Sequence, residues 1–183
     1  PQNEFENAAF EKFSAIAVGP GLGVDVENKI LLTKLIDLNK PMVIDADAIT
    51  MLSNNKELIL KLPPNTILTP HLKEFDRLFG IQENWWQRLV TATEKAQELK
   101  IIIVLKNQYS FVCLPTGDVY INPTGNAAMA SGGMGDVLTG ILVSLLAQKY
   151  VPKEAAILAV YLHGKAGDDL ANDSFCVSAS QVA

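Results

Sequence analysis

The chain has 183 residues and a formal net charge of −5, with 49% hydrophobic and 19% charged residues. These values allow one domain with a substantial core and exclude a largely disordered chain. The acidic balance argues against a nucleic-acid partner, and no apolar run approaches the ~18 residues of a membrane span. Residues 1–13 lack the apolar segment of a signal peptide, and the two cysteines form no C-x-x-C pair. We therefore expect a cytoplasmic setting and no structural zinc.

In chain order, the predicted elements alternate between strand and helix. Short apolar runs indicate strands, which we place at 14–18, 41–45, 65–70, 101–106 and 109–115, with a hairpin return over 116–122. Helical spacing of apolar residues indicates helices, which we place at 24–40, 71–80 and 85–100, with helices dominating from 133 to about 171. This alternation predicts a single α/β domain with a mostly parallel sheet. Ligands of such sheets bind beyond the carboxyl ends of the strands.

Of the loops that follow strands, one is rich in glycine and another contains two acidic residues. The loop VGPGLG (18–23) departs from the dinucleotide fingerprint G-x-G-x-x-G, so a substrate-lining loop and a plain strand-to-helix turn both stay open. The loop VIDADAI (43–49) places Asp45 and Asp47 at a strand end. Two carboxylates this close repel unless a cation or a donor lies between them. Helix capping by either residue is the alternative.

Two further strand ends carry polar residues. In LTPHLKEF, Thr69 is the expected helix N-cap and Pro70 the first helical residue. His71 and Glu74 then lie three residues apart on one helix face, either as a site pair or as a surface pair. Lys106 ends the apolar run IIIVL. It lies at the edge of the expected crevice, where it is either a phosphate contact or a solvated hairpin residue.

The stretch NPTGNAAMASGGMGD (122–136) contains the strongest functional signal. Its glycines Gly132, Gly133 and Gly135 precede the helical run VLTGILVSLLAQ, so free backbone amides and the positive end of a helix dipole would face one point. That arrangement suits an anion. An acid such as Asp136 at the same place is explained if a hydroxyl must be deprotonated beside a phosphate, as in phosphoryl transfer. A favourable partner for the helix dipole is the simpler alternative.

These segments resemble a known enzyme family. GGMGD followed by VLTGI is similar to the anion hole and catalytic acid of ribokinase-fold enzymes. AIAVGPGLG, VIDADAI, ILTPHLKEF, INPTGNAAMASGGMGDVLTGILVSLLAQ and VYLHGKAGD resemble, in this order, segments of the ADP- or ATP-dependent NAD(P)H-hydrate dehydratases. The resemblance implies a ribokinase-like three-layer αβα sandwich. It also implies repair of hydrated NADH and NADPH, in which a nucleotide phosphorylates the added hydroxyl and phosphate is then eliminated.

The resemblance also implies roles for individual residues. Asp136 would be the catalytic acid and would also contact the substrate, and Gly21, His71 and Glu74 would line the substrate site. Glu74 would organise Mg²⁺ through water. The nucleotide-binding positions would be Lys106, Asn107, Gln108, Tyr109, Ser110, Asn126, Ala127, Ala128, Met129, Ala130, Ser131, Gly132, Gly133, Met134 and Gly135. His163 is interpreted as a structural histidine.

The chain departs from the family pattern in two respects. Asn107 and Ser110 replace a glycine and a threonine of the K-G-x-x-T nucleotide loop, which leaves the choice between ADP and ATP open. Family members also carry several dozen residues before AIAVGPGLG. We therefore expect residues 1–183 to be the latter part of a ribokinase-like domain, whose sheet lacks the N-terminal strand and helix. An N-terminal hydrate epimerase domain precedes this one in some relatives, and a homo-oligomer is left open.

Two other functions remain as alternatives. The first is a small-molecule kinase of the same fold, such as a thiamine-precursor kinase, which would stop at the phosphorylated product. INPTGN and HGKAGD argue against it. The second is a non-catalytic nucleotide-binding remnant, which the intact Asp136 disfavours. Turnover and its product separate these alternatives from a dehydratase.

Overall fold

Six strands form one sheet in the computed structural model, which describes residues 10–183. Most of the N-terminal stretch on which the sequence argues against a signal peptide therefore lies outside the described residues. The strands are β1 (Ile16–Val18), β2 (Met42–Ile44), β3 (Ile67–Leu68), β4 (Ile102–Leu105), β5 (Ser110–Cys113) and β6 (Val119–Asn122). Their order in the sheet follows the sequence. Strands β1 to β4 pair in parallel, whereas β5 pairs antiparallel with both β4 and β6. This pairing confirms the mostly parallel sheet.

The helices connect the parallel strands and follow the last strand. They are α1 (Val26–Asp37), α2 (Ala46–Asn54), α3 (Leu72–Phe79), α4 (Trp85–Leu99), α5 (Met134–Ala147), α6 (Pro152–Ala171) and α7 (Ala179–Val182). Short 3₁₀ segments occur at Phe10–Lys12, Lys56–Lys61 and Ala127–Met129. Among residues 10–183, none of these helices has the length and apolar character needed to cross a membrane.

Side chains alternate between the two faces of the sheet, and each face has its own core. On one face, Ile103 and Leu105 of β4 join a cluster with residues of α1, α2, α3 and α4. On the other, Ile102 and Val104 join a cluster with residues of α5 and α6. A strand covered on both sides is continuously apolar, which is why IIIVL shows no alternation. These two cores make the three layers of the predicted αβα sandwich.

The structure corrects the expected start of α3. Thr69 is not the N-cap: its side chain is buried and its hydroxyl lies 3.4 Å from the Ile44 carbonyl oxygen of the neighbouring strand. His71 is the N-cap instead, and its Nδ1 accepts hydrogen bonds from the amides of Lys73 and Glu74. The Glu74 carboxylate in return accepts from the His71 amide at 2.9 Å, which completes a capping box. The helix ends at Gly80, as predicted.

Candidate active site

A cleft of about 980 Å³ opens beyond the carboxyl ends of β3 and β4. Its walls come from segments that are far apart in sequence and meet at this edge of the sheet. They are His71, Lys106, Asn107, Gln108, Tyr109, Ser110, Asn122, Pro123, Thr124, Gly125, Asn126, Ala127, Met129, Ala130, Met134, Gly135, Leu138, Val160 and His163. The position agrees with the expected ligand site of a parallel α/β sheet.

The two predicted nucleotide segments face each other across this cleft. All five residues from Lys106 to Ser110 line it, and so do Asn126, Ala127, Met129, Ala130, Met134 and Gly135. Ala128, Ser131, Gly132 and Gly133 belong to the same loop but lie outside the lining. The structure therefore brings the two segments together, while their contacts with a nucleotide remain a prediction.

Lys106 is held by a buried acid. Its Nζ lies 2.9 Å from Asp45 Oδ1, and Asp45, which is only 2% exposed, also accepts a hydrogen bond from the Thr139 hydroxyl. The lysine is therefore not a solvated hairpin residue. The Asp45 carboxylate does not cap α2, although Asp45 occupies the N-cap position of that helix. Asp47 has a separate partner, since it accepts the Gly23 amide at 2.8 Å, so the two carboxylates of VIDADAI do not share one donor.

The start of α5 lies beside this ion pair. Gly133 is the N-cap with φ 88°, a conformation that favours glycine, and no side chain caps the helix. The amides of the first turn are therefore available to a ligand, as expected for an anion site. A Cβ on Gly135 would lie 3.3 Å from Lys106 Nζ and 3.5 Å from Asp45 Oδ2. Lys106 and the helix start thus present positive charge to the same region.

Asp136 lies in the first turn of α5 and is exposed. It directly follows Gly135, which lines the cleft, but Asp136 itself is outside the lining. Its catalytic role is consistent with this placement and remains a prediction.

The loop before α5 is fastened to α6. Asp168 accepts hydrogen bonds from the Gly125 amide at 3.0 Å and from Asn126 Nδ2 at 2.7 Å. Gly164 and Gly167 of the same helix allow close packing, because a Cβ at either position would overlap Thr124 or Met129, respectively. The HGKAGD segment therefore holds one wall of the cleft in place.

The predicted substrate residues follow strands at the same edge of the sheet, and one of them lines the cleft. His71 lines the cleft and its side chain is half exposed, whereas Glu74 is buried with its Oε1 3.4 Å from His71 Nε2. Gly21 follows β1 with φ 63°, and a Cβ there would meet open space. Gly21 and Glu74 are outside the cleft lining. Among the described residues, no group of three or more His, Cys, Asp and Glu side chains is arranged to hold a metal.

His163, which the sequence analysis interprets as a structural histidine, faces the cleft. It lines the cleft, and its Nε2 is buried with no hydrogen-bond partner among the described residues. Burial lowers the pKa of the imidazole and the charge of Lys106 lowers it further, while a hydrogen bond with the Met134 backbone acts in the opposite direction. The sequence interpretation missed the place of this side chain in the cleft.

The contacts that hold the walls of the cleft in place were also not predicted from the sequence. The Asp45–Lys106 pair joins residues 61 positions apart, and Asp168 and Gly125 are 43 positions apart. The segment HGKAGD could have indicated a close approach, because its two glycines lie three residues apart on one helix face. Nothing in the spacing identifies the loop that they contact.

Comparisons with known proteins identify relatives of this chain. A family model described as NAD(P)H-hydrate dehydratase matches residues 1–183. The ADP-dependent (S)-NAD(P)H-hydrate dehydratase of Bacillus subtilis is 39% identical over 156 residues, covering 84% of this chain and 55% of the relative. The bifunctional NAD(P)H-hydrate repair enzyme Nnr of Moorella thermoacetica is 41% identical over 162 residues, covering 85% of this chain and 30% of the relative.

Solved structures show the same relationship. The ADP/ATP-dependent NAD(P)H-hydrate dehydratase of Bacillus subtilis, co-crystallized with ATP/Mg²⁺, matches with a TM-score of 0.82 and 33% identity over 99% of this chain and 65% of that chain. A ribokinase-like superfamily protein of Enterococcus faecalis matches with a TM-score of 0.81 and 32% identity over 99% of this chain and 62% of that chain. The chain therefore spans only part of the length of these relatives. It has the ribokinase-like α/β fold, and it belongs to the NAD(P)H-hydrate dehydratase family.

Proposed function

We propose that the protein dehydrates hydrated NADH and NADPH with an adenine nucleotide as phosphoryl donor. The observation that carries this proposal is the cleft in which Lys106, the uncapped amides of α5 and Gly135 converge, with Asp136 one residue further on. A cation and free helix amides suit phosphate groups. The family supplies the substrate class, since one relative named as an NAD(P)H-hydrate dehydratase and another named as an NAD(P)H-hydrate repair enzyme match most of this chain.

The proposed reaction has two steps. Asp136 accepts the proton of the added hydroxyl, whose oxygen attacks the terminal phosphorus, and the shortened nucleotide leaves. The amides of Gly135 and its neighbours stabilise the charge on the transferring oxygens. The C–O bond to the new phosphoester then breaks as a proton leaves the adjacent ring carbon, which releases phosphate and restores the ring double bond. Lys106 orients the nucleotide phosphates, and Asp45 holds the lysine in place.

Mg²⁺ is part of the proposal, and one carboxylate beside the cleft suits it. Protein-bound Mg²⁺ often keeps several waters and uses one or two carboxylates together with substrate phosphates. Glu74 provides such a carboxylate next to the cleft, with one oxygen engaged by the His71 amide. It would hold the ion through water. The ion would reduce the charge repulsion between the phosphates and the incoming hydroxyl oxygen.

Asp136→Asn tests the function and the role of its carboxylate together. Asparagine has nearly the same shape and suits a helix start, so we expect the fold and nucleotide binding to persist. Removing a positioned base typically costs about 10²–10⁴ in rate. The assay supplies hydrated NADH with ADP or ATP and Mg²⁺, and measures NADH recovered by its absorbance and phosphate released.

The same assay separates the alternatives. A wild-type protein that accumulates a stable phosphoester would be a kinase, and one that binds nucleotide without turnover would be a binding module. Normal turnover by Asp136→Asn would rule out its carboxylate as the base. Loss of the folded circular dichroism spectrum in that variant would show that Asp136 is structural. Comparing ADP with ATP in the wild-type assay identifies the donor.

The proposal also covers the full-length protein, its location in the cell and its oligomeric state. One relative is named as a bifunctional NAD(P)H-hydrate repair enzyme, so the proposal includes a second domain in the full-length protein, for which the resemblance suggests a hydrate epimerase; the intact mass of the native protein tests whether further residues are present. Both cysteines of the chain are free, which fits the reducing conditions of the cytoplasm. Cell fractionation tests that location, and gel filtration with light scattering gives the oligomeric state.

A further inference from the structure

We propose that His163 is a phosphate contact of the nucleotide site, with its Nε2 donating a hydrogen bond to a phosphate oxygen in the cleft. The proposal rests on the nucleotide placement given above and adds a residue from a helix to which no nucleotide contact has been assigned. His163 lies on α6, whereas the other proposed nucleotide contacts come from the Lys106–Ser110 turn and the Asn126–Gly135 loop.

The surroundings of Nε2 require an explanation. Buried polar atoms in folded proteins nearly always have a partner, and one that lacks it is a marker of strain or of function. Nε2 of His163 is the one buried side-chain nitrogen or oxygen among the described residues with no partner. Because the residue lines the cleft, a group bound in the cleft can provide that partner. A purely structural histidine would not need this wall position.

The charges around the ring select an anionic group. Lys106 is close enough to affect the ring, and its positive charge favours the neutral imidazole while the cleft is free of phosphate. Asp45 pairs with Lys106, and the Met134 backbone contacts the ring. A phosphate near Lys106 and Gly135 adds negative charge, which favours a proton on Nε2. The protonated ring can then donate from Nε2 to the phosphate oxygen.

The position of the ring is fixed by its own helix. Gly164 and Asp168 attach α6 to the loop at Thr124, Gly125 and Asn126. His163 lies four residues before Gly167 on this helix, so the ring is carried on the same helix face as the contact of Gly167 with Met129. A rigid element of this kind can present a donor without the cost of ordering a flexible side chain.

Two substitutions separate the polar atom from the ring volume. His163→Leu removes the donor, and we expect the dissociation constant of ADP to rise roughly tenfold to a hundredfold, as for a lost hydrogen bond to a charged group. His163→Gln places an amide nitrogen near the position of Nε2 and should recover part of that affinity. Equal ADP affinity in wild type and both variants would overturn the proposal.

A measurement on the wild-type protein does not depend on the folding of a variant. The ¹⁵N shifts of the ring report its protonation, and the chain has only two histidines, so the spectrum of His163→Gln assigns the signals. We expect ADP and inorganic pyrophosphate to move the His163 signals towards the protonated form, and adenosine to leave them unchanged. A shift with adenosine alone would assign Nε2 to the nucleoside and overturn the phosphate contact.

These experiments also separate the two proposals. If the wild-type protein binds ADP and repairs the hydrate while the His163 signals do not respond, only the role of His163 is wrong. If ADP does not bind to the wild-type protein, the nucleotide placement and the contact of His163 are both wrong.

Discussion

Glu74 shows how one side chain can serve both the fold and the site. One carboxylate oxygen completes the capping box of α3, and the other lies near the His71 ring. The carboxylate is therefore oriented before any ligand arrives. A carboxylate held in a fixed position suits a water-mediated Mg²⁺ contact.

Glu74→Gln tests this role. Glutamine keeps an oxygen that can accept the His71 amide, so we expect the fold to change little. The loss of charge should raise the Mg²⁺ concentration needed for half-maximal turnover, because a neutral amide attracts the hydrated ion less strongly. Glu98→Gln is the matched control, since Glu98 is exposed and pairs with Lys95 on α4. Identical Mg²⁺ titrations for wild type and both variants would rule out Glu74 as a magnesium residue.

The pair of Lys106 and Asp45 illustrates what spacing alone cannot show. The sequence places Lys106 at a strand end and two acids at another strand end, and both positions are correct. The contact between them depends on the order of β2, β3 and β4 in the sheet, and no local pattern encodes it. The same holds for His163, whose environment is set by the neighbouring helix and loop rather than by its own helix.

At the scale of elements, the predicted strands and long helices are confirmed, with strand ends that are one to two residues shorter than expected in most cases, whereas one short helix was not predicted. The predicted helix at 85–100 matches α4 to within a residue, because apolar spacing and an Asn84 cap agree. Helix α2 was not predicted, since an Asp-Ala-Asp pattern that resembles a loop spans its N-cap Asp45 and the first two of its nine residues. It forms because Ala48, Ile49 and Leu52 are buried against the sheet. Tertiary burial here outweighs weak local signals.

Helix α6 and the loop before α5 form one functional unit, and Asp168 joins them. We expect Asp168→Asn to lower the free energy of unfolding by about 1–3 kcal/mol, because an amide group would then face a donor of the loop. Nucleotide affinity should also fall, since the loop carries one wall of the cleft. Chemical denaturation and calorimetric titration with ADP measure the two effects.

Asp169→Asn is the matched control for this prediction. Asp169 forms an exposed ion pair with Lys165 on the same helix, and such pairs contribute little, about 0–1 kcal/mol. We therefore expect near-normal stability and ADP affinity. If Asp168→Asn and Asp169→Asn behave alike, the loop does not depend on the Asp168 contacts.

At the scale of the whole molecule, burial of a titratable side chain in one of the two cores makes stability depend on pH. Cys113 of β5 is fully buried in the core beneath α4. Burial raises the pKa of its thiol from 9.0 to about 11, with a smaller opposing effect of a hydrogen bond to Thr93. The folded protein therefore keeps the thiol protonated at pH values where the unfolded chain has lost that proton.

This difference predicts a loss of stability in alkali. Between pH 9 and 11 the folded state binds more protons than the unfolded state, so the free energy of unfolding falls as pH rises. A shift of about two pKa units corresponds to about 2–3 kcal/mol of unfolding free energy once the full pH range is crossed.

Cys113→Ala lacks the thiol and should show a shallower decline, although its cavity lowers stability at neutral pH. Chemical denaturation from pH 8 to 10.5 measures the difference, and Cys176→Ala, which removes an exposed thiol, should follow the wild-type profile. Parallel pH profiles for Cys113→Ala and wild type would show that the Cys113 thiol does not cause the loss of stability in alkali.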